Sequence, residues 1–301
     1  MLICDTHCDT LYMRALKPDQ PPCVTMQHMQ AGGVSLQTCT LWAGIQQQEG
    51  YGYRNAMDEY AAFERLAREE GWQKVDSPLE AEEGKTKILL SIEGGEVFEG
   101  SVERVREFHA LGVRMAALTW NYENEIGFPA KAGGREHIKR AGWDILREMA
   151  SLRIAADTSH LNEQGFWDLI GRHSQPPMAS HSCAKALCDH FRNLTDEQIR
   201  AMAERGGWIG VNFYPAFLTG SEHATVRDIA DHIDHMCQLG AAKHVGFGSD
   251  FDGIECAPVD CQSPADVPRI LDELRRRGYS EDAIADIAGR NFLRYYERLG
   301  Y

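Results

Sequence analysis

No run of about 18 apolar residues occurs in this 301-residue chain, so no segment is expected to span a membrane. A basic, then apolar, then small-residue leader is also missing, because the first strand is read from Leu2; the expected location is the cytoplasm. The nine cysteines never fall in Cys-x-x-Cys spacing, which excludes a structural zinc knuckle and argues against a disulfide framework. Most are read as reduced, small, partly buried residues, with Cys256 and Cys261 as the one pair considered for a bond. Basic surface is scarce too: 31 Lys and Arg face 45 Asp and Glu, a net charge of -14, and the basic residues mix with acids, as in Arg65-Leu66-Ala67-Arg68-Glu69-Glu70. That balance excludes nucleic acid or an anionic membrane as the main partner and leaves a small molecule. Internal repeats, low-complexity tracts and long linkers are absent, so residues 1–301 are assigned to one domain.

What is present is a repeated strand, loop and amphipathic stretch, in a chain that is 43% hydrophobic. Candidate strands run over Leu2–Asp9, Val34–Ala43, Lys87–Gly95, Val113–Trp120, Arg153–His160, Pro177–Ser182, Trp208–Tyr214 and His244–Asp250. Most are continuous apolar runs, as parallel strands buried on both faces require. Between them, Asn55 to Gly71 reads as a helix with Tyr60, Phe63 and Leu66 inward, and Thr195-Asp196-Glu197-Gln198 has the form of a capping box ahead of Ile199 and Met202. Ser263-Pro264 opens another helix before Ile270, Leu271 and Leu274; Ile229, Ile233 and Met236 mark one inward face, and Ile284, Ile287, Ala288 and Tyr295 another. Eight such units predict an α/β (β/α)₈ barrel. A doubly wound open sheet would instead carry a glycine-rich loop after strand one, where His7-Cys8-Asp9 stands.

In such barrels chemistry gathers at the carboxyl ends of the strands. Those ends carry His7 and Asp9, Glu93, Asp157 with His160, His181, and Asp250. His7-x-Asp9 is read as two ligands on one face of a strand. Imidazoles and carboxylates are costly to gather without a cation, and nitrogen and oxygen donors without thiolates suit Zn²⁺. The number of donors predicts two zinc ions, with His7 and Asp9 on one, His160 and His181 on the other, and Glu93 bridging. Such a pair polarises a carbonyl and generates hydroxide near neutral pH. Asp250 is then either the proton carrier or a further ligand. Asp157 is read as structural or as orienting a ligand. Asn212 and Tyr214 are placed to touch substrate, with packing the equal alternative for the aromatic ring, and Arg192 either clamps a carboxylate or is solvated in its loop.

The motifs Asp5-Thr6-His7-Cys8-Asp9, Ile92-Glu93-Gly94-Gly95, Asp157-Thr158-Ser159-His160, Ala179-Ser180-His181-Ser182, Arg192-Asn193-Leu194, Gly210-Val211-Asn212-Phe213-Tyr214 and Gly246-Phe247-Gly248-Ser249-Asp250-Phe251-Asp252-Gly253 resemble the membrane (renal) dipeptidase family of metallopeptidases, in the amidohydrolase superfamily. The resemblance runs nearly end to end. It implies a distorted barrel with two zinc ions, dipeptide hydrolysis, Arg192 on the substrate's terminal carboxylate, Asp250 as acid and base, and often a homodimer. One departure stands out: the family's substrate-contacting histidine after strand four falls on Trp120 of Leu118-Thr119-Trp120-Asn121. An indole donates a hydrogen bond but accepts no proton, so oxyanion stabilisation would pass to the metals or to Asn121. The basic stretch Lys131 to Gly142 also departs from the family. The leading expectation is a zinc dipeptidase. The alternatives are a hydrolase of cyclic amides, lactones or phosphoesters, often built on a carboxylated lysine at a strand end, and a catalytically impaired metal binder.

Overall fold

The computed structural model describes residues 1–45, 48 and 50–301. Eight parallel strands close into a barrel in chain order: β1 (Cys4–Asp5), β2 (Leu36–Trp42), β3 (Lys87–Glu93), β4 (Val113–Ala117), β5 (Ala155–Asp157), β6 (Met178–Ala179), β7 (Trp208–Val211) and β8 (Val245–Phe247). Closure is made by β1 against β8, Asp5 opposite Phe247. Each observed strand lies inside its expected range, and the expected ranges overshoot mainly at the carboxyl ends. The reason is that backbone groups there leave the ladder for side chains. Ser180 N–H donates to Asp157 Oδ1 (2.9 Å) and Ser249 N–H to Asp5 Oδ1 (2.8 Å), so carboxylates take over where strand pairing stops.

The helices form where the apolar spacing placed them. Thr195 and Gln198 make the reciprocal capping box of helix Asp196–Glu204, which removes two orphan N–H groups at its start. Ile199, Met202, Ile229, Ile233, Met236, Ile270, Leu271, Leu274, Ile284, Ile287, Ala288 and Tyr295 are all buried. Helix Tyr51–Glu69 begins a turn earlier than expected, behind Gly50 at φ 72°, with Phe63 and Leu66 buried and Tyr60 half-buried. Pro264 opens a 3₁₀ turn, and the helix proper runs over Val267–Arg276. The last helical segment is broken by a π turn over Asp286–Arg290, which periodicity alone does not reveal.

Two apolar layers result. One joins the barrel's outer face to the helices; the other fills the barrel floor, where Cys4, Leu36, Leu89, Met115, Ala155, Met178 and Trp208 meet Phe292, Tyr295 and Tyr296 of the last helix. All nine cysteines are free, so the considered Cys256–Cys261 bond does not form: Cys261 is buried, whereas Cys256 lines the open cavity above the barrel. Among the described residues no helix is long and apolar enough to cross a membrane.

The barrel interior below the strand ends is so tight that a Cβ at Gly248 would lie 1.8 Å from the Ser180 carbonyl oxygen. Gly248→Ala is therefore expected to cost about 1–3 kcal/mol or more in denaturant unfolding. Gly171→Ala, where an added Cβ meets nothing within 4 Å, should be neutral or stabilise by up to about 1 kcal/mol. Equal effects of the two substitutions would contradict this packing.

Candidate metal centre

All six residues expected at the centre come together at the carboxyl end of the barrel. Only Glu93 sits on a strand proper, as the last residue of β3. His7 and Asp9 do not share a strand face, contrary to the sequence expectation: β1 ends at Asp5, Cys8 alone bridges Phe251, and Asp9 stands at the start of helix Thr10–Leu16. His160, His181 and Asp250 likewise lie beyond β5, β6 and β8. His160 (φ 67°) and Asp250 (φ 64°) adopt the left-handed conformation, as does Asp252 (φ 66°), a strained backbone for non-glycine residues. Asp252 is held there because its carboxylate accepts from Cys23 N–H at 2.7 Å and Val24 N–H at 3.1 Å. Gly253 completes the turn: a Cβ on it would meet Asp9 Oδ2 at 2.1 Å and Asp250 Oδ1 at 2.7 Å.

The donor atoms converge. His7 Nε2 lies 3.5 Å from Asp9 Oδ2, 3.7 Å from Glu93 Oε1 and 3.6 Å from Asp250 Oδ1. Glu93 Oε1 is also 2.9 Å from His160 Nε2 and 3.4 Å from His181 Nε2. His7, Glu93 and His181 form one group whose donor atoms all fall within 4.8 Å of one another, and His7, Asp9 and Asp250 form a second.

Which nitrogen faces the centre is set by the neighbours. His181 Nδ1 bonds Ser180 Oγ at 2.7 Å, and that hydroxyl donates to Asp157 Oδ2. His160 Nδ1 lies 3.1 Å from Asn121 Oδ1, an acceptor. Both rings thereby carry their proton on Nδ1, and both Nε2 lone pairs meet 3.1 Å apart. Asp157 thus orients a proposed ligand through Ser180. Asn121, expected beside the substrate, holds His160. Asn212, also expected to touch substrate, donates through Nδ2 to Asp250 Oδ2 at 2.8 Å. Asp5 does for the β1–β8 seam what Asp157 does for β5–β6, accepting from Ser249. The roles of Ser180, Ser249 and Gly253 had no signal in the sequence beyond their place in the motifs, because barrel closure supplies their partners.

Electrostatics favour an added cation. Burial pushes the Glu93 carboxyl well above its usual range, and the charge on Asp9 adds to this. Burial also holds His160 and His181 well below theirs, as neutral imidazoles. For His7, burial opposes charge, yet Glu93, Asp9 and Asp250 together lift it to about 10. Burial lifts Asp250 to about 7 against the pull of His7. His7 Nε2 is buried and has no hydrogen-bond partner. A divalent cation answers each feature: it satisfies the orphaned nitrogen, separates the facing lone pairs and neutralises the acids.

Above the centre opens a cavity of about 810 Å³. Arg192, Tyr214, Trp120 and Asn121, the residues expected to contact substrate, are among those that line it. Arg192 is only 5% exposed; its Nη2 donates to His181 O at 3.3 Å, its Nε has no acceptor, and among the described residues it makes no ion pair. Burial lowers its pKa, with Asp250 and Glu93 pulling the other way. The Tyr214 ring stands edge-on to Phe217 at 4.9 Å, and Trp120 lies 6.3 Å from the His160 ring.

Comparison with known proteins identifies a family and a fold. The model of a family described as membrane dipeptidase (peptidase family M19) matches residues 1–299. The chain is 36% identical over 217 residues to an uncharacterized protein in the pqqA 5′ region of Klebsiella pneumoniae, covering 69% of this chain and 80% of that one. It is 34% identical over 215 residues to the dipeptidase aclJ of Aspergillus oryzae, covering 70% of this chain and 51% of that one. The chain therefore spans about half the length of that fungal relative. In fold it is similar to a metallo peptidase from Rhodobacter sphaeroides solved with a phosphinate mimic of the dipeptide L-Ala-D-Ala, with a TM-score of 0.91, 23% identity and 99% of each chain covered.

Loss of the Asn121 acceptor should weaken divalent-metal affinity by about 10- to 100-fold in Asn121→Ala, with the fold intact by circular dichroism. Asn121→Asp, which keeps an acceptor, should restore most of it. Unchanged affinity in competition with a chelating dye would show that the His160 tautomer needs no such hold.

Proposed function

We propose, from the premise that the chain belongs to the membrane dipeptidase family, that it is a metal-dependent dipeptidase whose centre takes two divalent cations, with zinc as the metal suited to its donors. The observation that carries this reading is the pair of buried imidazoles with lone pairs facing at 3.1 Å beside Glu93, both Nδ1 atoms already bonded. His7 and Asp9 would hold one cation, His160 and His181 the other, with Glu93 shared, and residues 1–301 would act as one catalytic domain. When bound, the cations supply Lewis-acid polarisation of a peptide carbonyl and acidification of water.

The remaining work falls to the chain's own side chains. Arg192 takes the substrate's terminal carboxylate: a buried guanidinium with a free Nε and no acid of its own is left needing an anion, and its planar fork matches a carboxylate. Asp250 has Oδ2 fixed by Asn212 and Oδ1 toward His7, so one oxygen is positioned and the other faces the centre. It accepts a proton from the attacking water and delivers it to the leaving amine nitrogen. Trp120 offers no imidazole there, so the residue at that position can donate an N–H to the substrate oxygen but can take no proton.

Purified protein loaded with zinc, cobalt or manganese is expected to contain two metals per chain and to hydrolyse L,L- or L,D-dipeptides. Glu93→Gln should lose both metal and activity, and a chelator should remove activity reversibly. No hydrolysis of any dipeptide by chains holding two metals would sink the reading. Arg192→Ala should raise KM by about 10- to 100-fold with a smaller change in kcat, the signature of lost uniform binding. Amidating the substrate's carboxylate should cost wild type the same factor and cost the variant nothing further.

A further inference from the structure

We infer that Tyr12, Trp42 and Trp120 form the pocket for the side chain of the substrate's N-terminal residue, and that this pocket selects a bulky apolar or aromatic side chain. The inference rests on the dipeptidase reading and deepens it.

The three rings make one continuous edge-to-face wall of the cavity. Tyr12 meets Trp42 at 4.8 Å and 86°, and Trp42 meets Trp120 at 4.9 Å and 73°. Such contacts leave a partly open ring ready for another apolar or aromatic partner. Trp120 is only half-buried, and its ring is 6.3 Å from that of His160, so the wall begins beside the centre. At the rim Ile45 is 58% exposed, a large apolar side chain without cover on the same cavity.

The wall is held in place by an unusual device. The backbone of Trp42 is clasped on both sides by helix Tyr51–Glu69: its N–H donates to Glu59 Oε2 at 2.8 Å, and its carbonyl accepts from Asn55 Nδ2 at 2.8 Å. Asn55 also bonds Glu59 at 2.8 Å, and both side chains are buried. Burying a carboxylate is costly, and here its hydrogen bonds converge on the residue that anchors the wall.

Topology assigns the occupant. In the closed strand order, the end of β2, which carries Trp42, lies across the mouth from the end of β6, whose following loop carries Arg192, and Trp120, just beyond β4, stands a quarter turn from each. A dipeptide with its carboxylate on Arg192 and its scissile carbonyl over the centre therefore extends its N-terminal residue toward the tryptophans. A cationic side chain is disfavoured there, because Lys17 Nζ already sits 4.9 Å from the Tyr12 ring centroid and would repel it.

The test compares kcat/KM for X-Ala dipeptides with X as Gly, Ala, Leu, Phe, Trp and Lys, alongside an Ala-X series. Wild type should favour Phe, Trp and Leu over Gly at the N-terminal position by about 10- to 100-fold, with Lys near Gly. In Trp120→Ala the Phe-to-Gly ratio should fall toward unity, Trp120→Phe should keep part of it, and the Ala-X profile should keep its shape in both. Dissociation constants of non-cleavable phosphinate analogues of Phe-Ala and Gly-Ala should show the same loss of discrimination. Hydrolysis with a flat X-Ala profile, or a preference unaltered by Trp120→Ala, overturns the inference while leaving the dipeptidase reading standing. No hydrolysis of any dipeptide removes that reading and this inference with it.

Discussion

Too much negative charge and too many lone pairs are gathered at one end of the barrel, and the rest of the structure is arranged to sustain that. Asp9, Glu93 and Asp250 all lie within 4 Å of His7 Nε2, and two further imidazole nitrogens lie within 3.4 Å of Glu93. Burial then works against the charged forms of Glu93, His160 and His181, pushing the first up and the other two down. Left alone, such a cluster would spread apart or take up protons; held in place, it suits a small, highly charged cation. Its holding is therefore the main structural task of the strand ends.

That task explains why most strands are so short. β6 is two residues long and β8 three, far below an ordinary strand, because the N–H groups just beyond them, on Ser180 and Ser249, bond the Asp157 and Asp5 carboxylates instead of a neighbouring strand. Asp5 with Ser249 and Asp157 with Ser180 solve the same problem at two seams of the barrel. Each places a buried carboxylate at a strand end, satisfies it with an N–H and a hydroxyl from the next strand in the barrel, and fixes the loop that carries a proposed ligand. At the β5–β6 seam the chain continues through Ser180 into the His181 ring, so the same bonds that close the barrel also choose the imidazole tautomer. Fold closure and ligand preparation are here one hydrogen-bond network.

This division also accounts for what the sequence made legible. Continuous apolar runs located all eight strands, and the identity of each run's last polar residue located the centre, because both are local patterns. Strand length, the left-handed conformations at His160 and Asp250, and the roles of Asn121 and Asn212 were not legible. Each depends on a partner more than twenty residues away that only barrel closure supplies: Ser180 for Asp157, His160 for Asn121, Asp250 for Asn212. The π turn at Asp286–Arg290 escaped for the opposite reason, since inserting one residue leaves the apolar spacing of Ile284, Ile287 and Ala288 looking helical. Glu59 was hidden because a glutamate on an amphipathic helix reads as solvated, and its partner is the end of β2, where the Trp42 N–H meets it.

Two aromatic clusters, one on the barrel floor and one at its mouth, differ in a way that separates stability from recognition. On the floor, Trp208, Phe292, Tyr295 and Tyr296 are fully buried, their rings 5.1–5.4 Å apart in chain, and the Tyr295 and Tyr296 hydroxyls are satisfied by backbone carbonyls. Nothing in that cluster is left to bond, so its contribution is to seal the barrel. At the mouth, Tyr12, Trp42 and Trp120 pack edge to face and Trp120 meets Tyr122 at 5.4 Å, but the set keeps a half-buried indole, a neighbouring exposed isoleucine and an indole N–H on Trp42 with no acceptor. A set of rings closed on all sides has reached its energy minimum within the protein. One that is rigidly anchored yet open on the side facing a cavity reaches it only when something apolar fills the gap, and in this barrel the gap adjoins the centre on the side away from Arg192.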